Sequence, residues 1–386
     1  MRTIVTAARL WSADGIIENP VAEIEDGRIA EITVAPESWA TPGHHFGAAT
    51  LAPAFFDVHF HGAAGHDVME ATPEALTAIG SFLARHGTAR YLATTVTAPL
   101  DATLRAVSAL ARMIQRPELL RNSEHPLAIP VGIHLEGPFL SHEKRGVQPA
   151  EYLLKPDPAV FDRLYEAAEG NVRLLTLAPE LPRAMELTAH AVARGVRVSI
   201  GHSNATAAEA RAAVDVGAVS ATHTFNAMRP LDHREPGILG VALTDDRLYA
   251  ELICDGVHVA PEMVRLWWRA KGERRCILVT DAMSATGMPD GEYQLGGFAV
   301  QVKEGRATAR GVLAGSVLTP DKALCNFVKF TSTPIENALP LLTTNPAQMT
   351  GMPSGLTVGQ PAHIVAIGSE GRLLASIIDG RRVEVS

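Results

Sequence analysis

The sequence predicts an α/β protein: a (β/α)8 TIM-like barrel carrying a small β-sandwich module built from both termini. Three observations lead there. Eight apolar, strand-like runs alternate with helical patterns through the middle of the chain. The two ends are β-rich and resemble one another. Most of the apolar runs finish in a histidine or a carboxylate, and the C-terminal strand ends of a barrel meet at one face.

The N-terminal part, residues 1–50, reads as short strands and turns, with Asp26-Gly27 as a hairpin turn in PVAEIEDGRIAEITVA. The tail, residues 351–386, alternates apolar residues around turns at Glu370-Gly371 and Asp379-Gly380. Short β ribbons are marginally stable alone, so the two ends are expected to pair into one module. Residues 51–350 form the expected barrel. Its strands are LAPAFFDVHF, ARYLATTVT, PVGIHLE, VRLLTLA, VRVSIGH, VSATHTF, LYAELICD and CILVTDA. Helix starts are readable at Thr72-Pro73, at the T-x-x-E box from Thr206 to Glu209, at Thr333-Pro334 with Glu336, and at Asn345-Pro346. Gly217 is a matching stop. An open doubly wound sheet is the alternative, but it calls for a Gly-rich turn after the first strand, where this chain has histidines.

Composition narrows the function. A net charge of −8 provides no general basic field for nucleic acid or anionic membrane. The three cysteines, Cys254, Cys276 and Cys325, are scattered and suit a reducing compartment. The start lacks a signal-peptide pattern, and no apolar run approaches the roughly 20 residues that span a bilayer. A cytoplasmic protein is expected.

The strand ends carry the chemistry. The first ends in His59 and His61, which share one side of an extended strand. The third ends in Glu136, with His134 deeper in the strand and assigned a supporting role. The fifth, sixth and eighth end in His202, His223 and Asp281, and the seventh in Asp255 followed by His258. Alone, H-x-H says little in a chain with 15 histidines. Gathering several imidazoles and carboxylates is costly unless a cation compensates them, and this donor mix suits zinc, iron or manganese. Asp281 is the expected proton acceptor for the attacking water. The loop after strand six offers Asn226, backbone amides around Ala227, Arg229 and Arg234 to a phosphate.

PAFFDVHFHG, HLEGPFLSHEKRG, GHSNAT, THTFNAMRPLDHREPG, CDGVHV, LVTDAMSATGMPDG and GVLAGS, in this order, closely resemble the N-acetylglucosamine-6-phosphate deacetylases of the amidohydrolase superfamily. The resemblance implies hydrolysis of N-acetyl-D-glucosamine 6-phosphate to glucosamine 6-phosphate and acetate. It assigns Glu136, His202 and His223 to the main metal, and His59 and His61 to a second one, giving one or two divalent ions per subunit. Asn226, Ala227, Arg234 and His258 match residues that hold the sugar phosphate, and Leu313, Ala314, Gly315 and Ser316 a loop lining the substrate. It also implies a homodimer in which Arg234 reaches the neighbouring site. Gln148 stands where some relatives have a histidine that contacts the substrate carbonyl. An amide cannot become cationic, which shifts the expected oxyanion stabilisation towards metal and favours two ions. Three rivals remain: the galactosamine epimer as substrate, another amide on the same barrel, and a non-catalytic scaffold. The fourth strand end, LLTLAPE, lacks the lysine that bridges metals in many cyclic-amide hydrolases.

Overall fold

A computed structural model describes residues 2–12, 15–34, 43–120 and 125–385. Eight parallel strands follow in sequence order around one sheet: β1 (Phe55–Phe60), β2 (Thr88–Thr95), β3 (Ile129–Glu136), β4 (Val172–Leu177), β5 (Arg197–Ile200), β6 (Ala218–Ala221), β7 (Tyr249–Ile253) and β8 (Cys276–Val279). The sheet closes just beyond β8, where the Asp281 amide donates to the His59 carbonyl at 2.9 Å and the His61 amide to the Ala282 carbonyl at 2.8 Å. Closure therefore occurs at the level of the site residues themselves. The fold class is the predicted barrel.

Local chemistry explains the crossovers. Helix α1 (Pro73–Arg85) starts with the Thr72 hydroxyl accepting from the Ala75 amide and proline in the first turn. In the later helix Ala207–Asp215 both halves of the Thr206/Glu209 capping box form, and Gly217, at φ 114°, follows its end. Two expected starts differ. Thr333-Pro334 opens only the short helix Ile335–Ala338, without a side-chain cap. Asn345 lies inside the helix Thr344–Thr350, and its amide donates to the carbonyls of Glu273 and Cys276, tying that helix to the base of β8.

The run LAPAFFDVHF is not one strand. Thr50–Pro53 belongs to the terminal module and Phe55–Phe60 to the barrel, with Ala54 between them. In a six-stranded sheet Thr50–Pro53 lies between Arg9–Ser12 and the C-terminal strand Ile364–Ile367, so chain segments more than 300 residues apart pair directly. A four-stranded sheet of Arg2–Thr6, Pro20–Glu25, Arg28–Val34 and Gly43–His45 packs with it. Val5, Leu10, Ile24, Ile29, Leu51, Ile364 and Ile377 form their shared core.

One element escaped the sequence reading. Between β8 and the helix Pro320–Thr331, four antiparallel strands (Gly291–Leu295, Phe298–Lys303, Arg306–Ala309 and Val312–Leu313) form a separate sheet. Its apolar face, with Leu295, Val300, Val302 and Ala307, packs on Val96 after β2 and on Met283 and Ala285 after β8. Backbone-to-carboxylate contact reinforces the packing, since the Gly296 amide donates to buried Asp67 at 2.8 Å.

Candidate active site and metal centre

Inside the upper barrel the usual apolar filling gives way to polar groups. Asp57, His59, Thr94, His134, Thr176, Ser199, Ser220, Thr222, Glu251 and Thr280 are all completely buried. Burial of this kind is tolerated when hydrogen bonds replace water. His134 is bracketed by the hydroxyls of Thr94 (3.3 Å) and Thr176 (2.8 Å), and Thr176 continues to Thr222 and Ser199. Burial, then the neighbouring His59, push the His134 ring well below the ordinary histidine range, so it remains neutral. His134 packs edge-on against His59 at 4.8 Å between centroids, behind the site rather than in it.

Above this layer, six side chains from strand ends form two adjacent triangles. In one, Glu136 Oε1, His202 Nε2 and His223 Nε2 are each 3.1 Å from the other two. In the other, His59 Nε2 and His61 Nε2 are 3.3 Å apart, and Asp281 Oδ1 is 3.5 and 3.1 Å from them. Glu136 joins the two: its Oε1 is 3.3 Å from His59 Nε2 and its Oε2 is 3.5 Å from His61 Nε2.

The spacing tests whether the residues fit a metal. Ligands about 2.05 Å from a tetrahedral ion stand roughly 3.3 Å from one another, close to the edges of both triangles. Lone-pair direction agrees. His61 Nδ1 faces the Thr94 carbonyl at 2.9 Å and His202 Nδ1 the Lys144 carbonyl at 3.0 Å. A ring whose Nδ1–H is taken by a carbonyl presents an unprotonated Nε2, the form a metal requires. The residues fit a divalent ion in either triangle.

Electrostatics and backbone strain single out the same positions. Burial pushes the Glu136 carboxyl up, but His59, His202 and His223 outweigh it and hold it well below the usual carboxylate range. Burial likewise opposes ionisation of Asp281, and His59 and His61 overcome it, so this acid is also held low. His202, His223, Phe225, Ala227 and Asp281 have φ of 46°, 28°, 83°, 51° and 51°, a region that side-chain-bearing residues seldom occupy. Such strain gathers where surrounding structure enforces a functional geometry.

Of the expected substrate residues, His258 has a largely buried side chain, with Nδ1 held by Asp255 Oδ2 at 2.7 Å. Asp255 Oδ1 accepts from the Val257 and His258 amides at 2.8 Å each, so one carboxylate fixes both the turn and the ring. The Asn226 side chain returns to the His223 carbonyl at 3.3 Å, and the Ala227 carbonyl accepts from the Ser203 amide. Arg229 donates to the Asn204 carbonyl. Arg234 is exposed and makes no ion pair among the described residues.

Two of the expected substrate residues are also held from within the protein. The Gln148 amide is fixed at both its oxygen and its nitrogen, with one of its two N–H groups engaged. The Thr97 amide donates to its Oε1 at 2.8 Å, which orients the side chain, and its Nε2 donates to Glu136 Oε2 at 2.7 Å. Its first partner is thus the shared carboxylate. The Ser316 hydroxyl is also engaged internally, donating to the Thr280 carbonyl at 2.6 Å, while the Ser316 amide donates to the Asp281 carbonyl. Leu313 and Ala314 leave the inserted sheet, and Gly315, at φ 61°, crosses so close to the Asp281 carbonyl that a Cβ would lie 3.0 Å from it. This loop braces Asp281 from behind.

Sequence reading passed over Asp57 and Glu251. Asp57 accepts from the Thr280 hydroxyl at 2.5 Å, and burial pushes its carboxyl up to about 6. Glu251 stands behind His59. Each is a charged residue in the middle of an otherwise apolar strand, and that was the available signal.

Barrel, shared carboxylate and paired histidine triangles together define a hydrolase-type scaffold of the kind that holds divalent metal at strand ends. Residues 50–383 match the amidohydrolase family. An N-acetylgalactosamine-6-phosphate deacetylase of Escherichia coli O157:H7 is 38% identical over 96% of each chain. An N-acetylglucosamine-6-phosphate deacetylase of Bacillus subtilis is 33% identical over 96% of this chain and 94% of its own. The structure of N-acetyl-D-glucosamine-6-phosphate deacetylase from Mycobacterium smegmatis, a mutant in complex with N-acetyl-D-glucosamine-6-phosphate, is 37% identical and superposes over all of both chains with a TM-score of 0.91. The chain belongs to the N-acetylglucosamine-6-phosphate deacetylase family of the amidohydrolases.

Proposed function

We propose that the protein hydrolyses N-acetyl-D-glucosamine 6-phosphate to D-glucosamine 6-phosphate and acetate. The observation that carries this reading is the pair of histidine–carboxylate triangles linked by Glu136, in a chain of this family. Zinc, iron or manganese, bound in one or both triangles, would supply Lewis acidity, which lowers the pKa of water and polarises a carbonyl.

The chain's own groups do the rest. Asp281, kept ionised by His59 and His61, accepts a proton from the attacking water. It returns that proton to the amine nitrogen as the C–N bond breaks, so the acid–base cycle closes on one carboxylate. Gln148 keeps the Glu136 carboxylate from rotating, and the Gly315–Ser316 backbone keeps Asp281 in place. His258 and Asn226, with the Ala227 segment, hold the phosphorylated sugar. Arg234 lies on an exposed loop, which supports a homodimer in which it completes the partner's phosphate site. The buried free thiols of Cys254 and Cys276 suit a cytoplasmic setting.

A second reading, the galactosamine epimer as substrate, is favoured by the 38% identical relative. Acetate release from both epimeric sugar phosphates, with and without chelator, tests the proposal. Chelator-sensitive release from the glucosamine derivative supports it. A clear preference for the galactosamine derivative replaces it with the second reading, and release from neither overturns both.

A further inference from the structure

We infer that Glu251 is the positioning residue for His59, and that it sets the affinity of the His59–His61–Asp281 triangle for a cation. The inference rests on the metal-site reading above and extends it beyond the six ligand-type residues.

Glu251 lies in the middle of β7, completely buried, among Tyr249, Ala250, Leu252 and Ile253. Its Oε1 accepts from the Ser220 hydroxyl at 3.3 Å, and its Oε2 faces His59 Nδ1 at 3.5 Å. No lysine or arginine pairs with it among the described residues. A carboxylate taken out of water without a partner costs several kcal/mol. An apolar side chain would fill a β7 position at no such cost. The ligand-type group that its Oε2 faces is the His59 imidazole.

His59 differs from the other ligand histidines on its Nδ1 side. His61 and His202 meet neutral backbone carbonyls there, and His223 Nδ1 is buried with no partner among the described residues. Among the described residues, only His59 of these four faces a carboxylate on that side. A carboxylate at Nδ1 fixes the tautomer that leaves Nε2 free, and raises the ring's basicity as a ligand more than a carbonyl does. His59 Nε2 is also the nitrogen between the triangles, 3.3 Å from Glu136 Oε1 and 3.5 Å from Asp281 Oδ1. It is the ring whose orientation matters most to a second ion.

The test counts metal in the purified holoenzyme by elemental analysis and follows it by competition with a chelating dye. It compares the unaltered protein with Glu251→Gln, which keeps the shape, and Glu251→Leu, which removes the acceptor. The unaltered protein is expected to hold two equivalents. Both variants should keep one equivalent at unchanged affinity while the other weakens 10–100-fold, more for Leu than for Gln. After cobalt substitution, only one of the two visible absorption components should change. Two equivalents with unaltered affinity in Glu251→Gln overturn the inference, whether or not the Leu variant folds. Equal loss of both equivalents also overturns it. Fewer than two equivalents in the unaltered protein overturn the two-ion reading beneath it instead.

Discussion

Gln148 donates its side-chain amide to Glu136 Oε2 at 2.7 Å, while the backbone amide of Thr97 holds the other end of the same side chain at 2.8 Å. The carboxylate that links the two triangles therefore cannot turn freely, and one of its lone pairs is occupied by this bond. Substituting Gln148 by Leu removes the tether and leaves a buried Glu136 oxygen with one donor fewer. Metal affinity and kcat are expected to fall together by about 10–100-fold, as for other outer partners of metal ligands. Dye competition beside steady-state kinetics checks this. A change confined to KM would instead assign Gln148 to substrate.

The two roles proposed for Asp281 are separated by one substitution. Its Oδ1 belongs to the His59–His61 triangle, and as a base it must accept and return a proton. Asn keeps the oxygen but cannot take the proton. Asp281→Asn should lose about 10²–10⁴ in kcat. The centre at Glu136, His202 and His223 should still hold its ion, because none of those contacts involves Asp281. Metal analysis and acetate release on the same preparation decide it, and an active variant removes Asp281 from the base role.

With His258 in the proposed phosphate site, substrate binding is expected to depend on pH. Burial lowers its affinity for a proton, but Asp255 at 2.7 Å outweighs burial and raises the ring above the ordinary histidine value. Below that raised value the ring is a cation and attracts a phosphate; as pH rises through it the charge is lost. KM should therefore increase on the alkaline side. A phosphate ester is already doubly ionised well above its second pKa of about 6, so the trend there belongs to the enzyme. The same ion pair stabilises the fold fully below the unfolded histidine's pKa, and its contribution disappears as pH rises through the folded value. His258→Asn should flatten the KM profile. A profile unchanged by the substitution assigns the trend elsewhere.

Much of this arrangement was legible because it violates the local rule. An apolar strand ending in histidine or carboxylate is costly in isolation, so His59, Glu136, His202, His223 and Asp281 stood out before any fold was known. Their convergence followed from barrel geometry alone. What stayed hidden depended on contacts between strands. Glu251 looks like an ordinary charge in LYAELICD until its burial and its distance to His59 are known. Gln148 was matched to a position, but which of its neighbours takes the amide is decided by where the Thr97 backbone lies. The break at Ala54 was invisible because both halves of LAPAFFDVHF are equally apolar and differ only in which sheet they join. In the inserted sheet, Tyr293, Val300 and Val302 alternate with polar residues around Gly296-Gly297 and Glu304-Gly305. That pattern was readable, but it falls after the eighth barrel strand, a stretch to which the sequence reading assigned no strands.

Arg234 yields a prediction that distinguishes one subunit from two. The loop from Leu231 to Arg234 is exposed, held by Asp232 accepting from the amides of Arg234 and Glu235, and the guanidinium has no partner within its own chain among the described residues. Arg234→Ala should raise KM for a sugar phosphate about 10-fold or more, since a charge-assisted contact contributes roughly 1.5–3 kcal/mol. Mixing then assigns the contact. Asp281→Asn lacks the base but keeps the arginine, and Arg234→Ala lacks the arginine but keeps the base. If the arginine acts across a two-fold interface, a mixed dimer contains one site with Asp281 from one chain and Arg234 from the other. Random exchange makes about half the dimers mixed, so about a quarter of all sites should become complete, and low-KM activity should appear. If the arginine serves its own chain, every site in the mixture lacks one group and the activity equals the average of the two parents. Kinetics at low substrate after unfolding-free subunit exchange reads the difference directly.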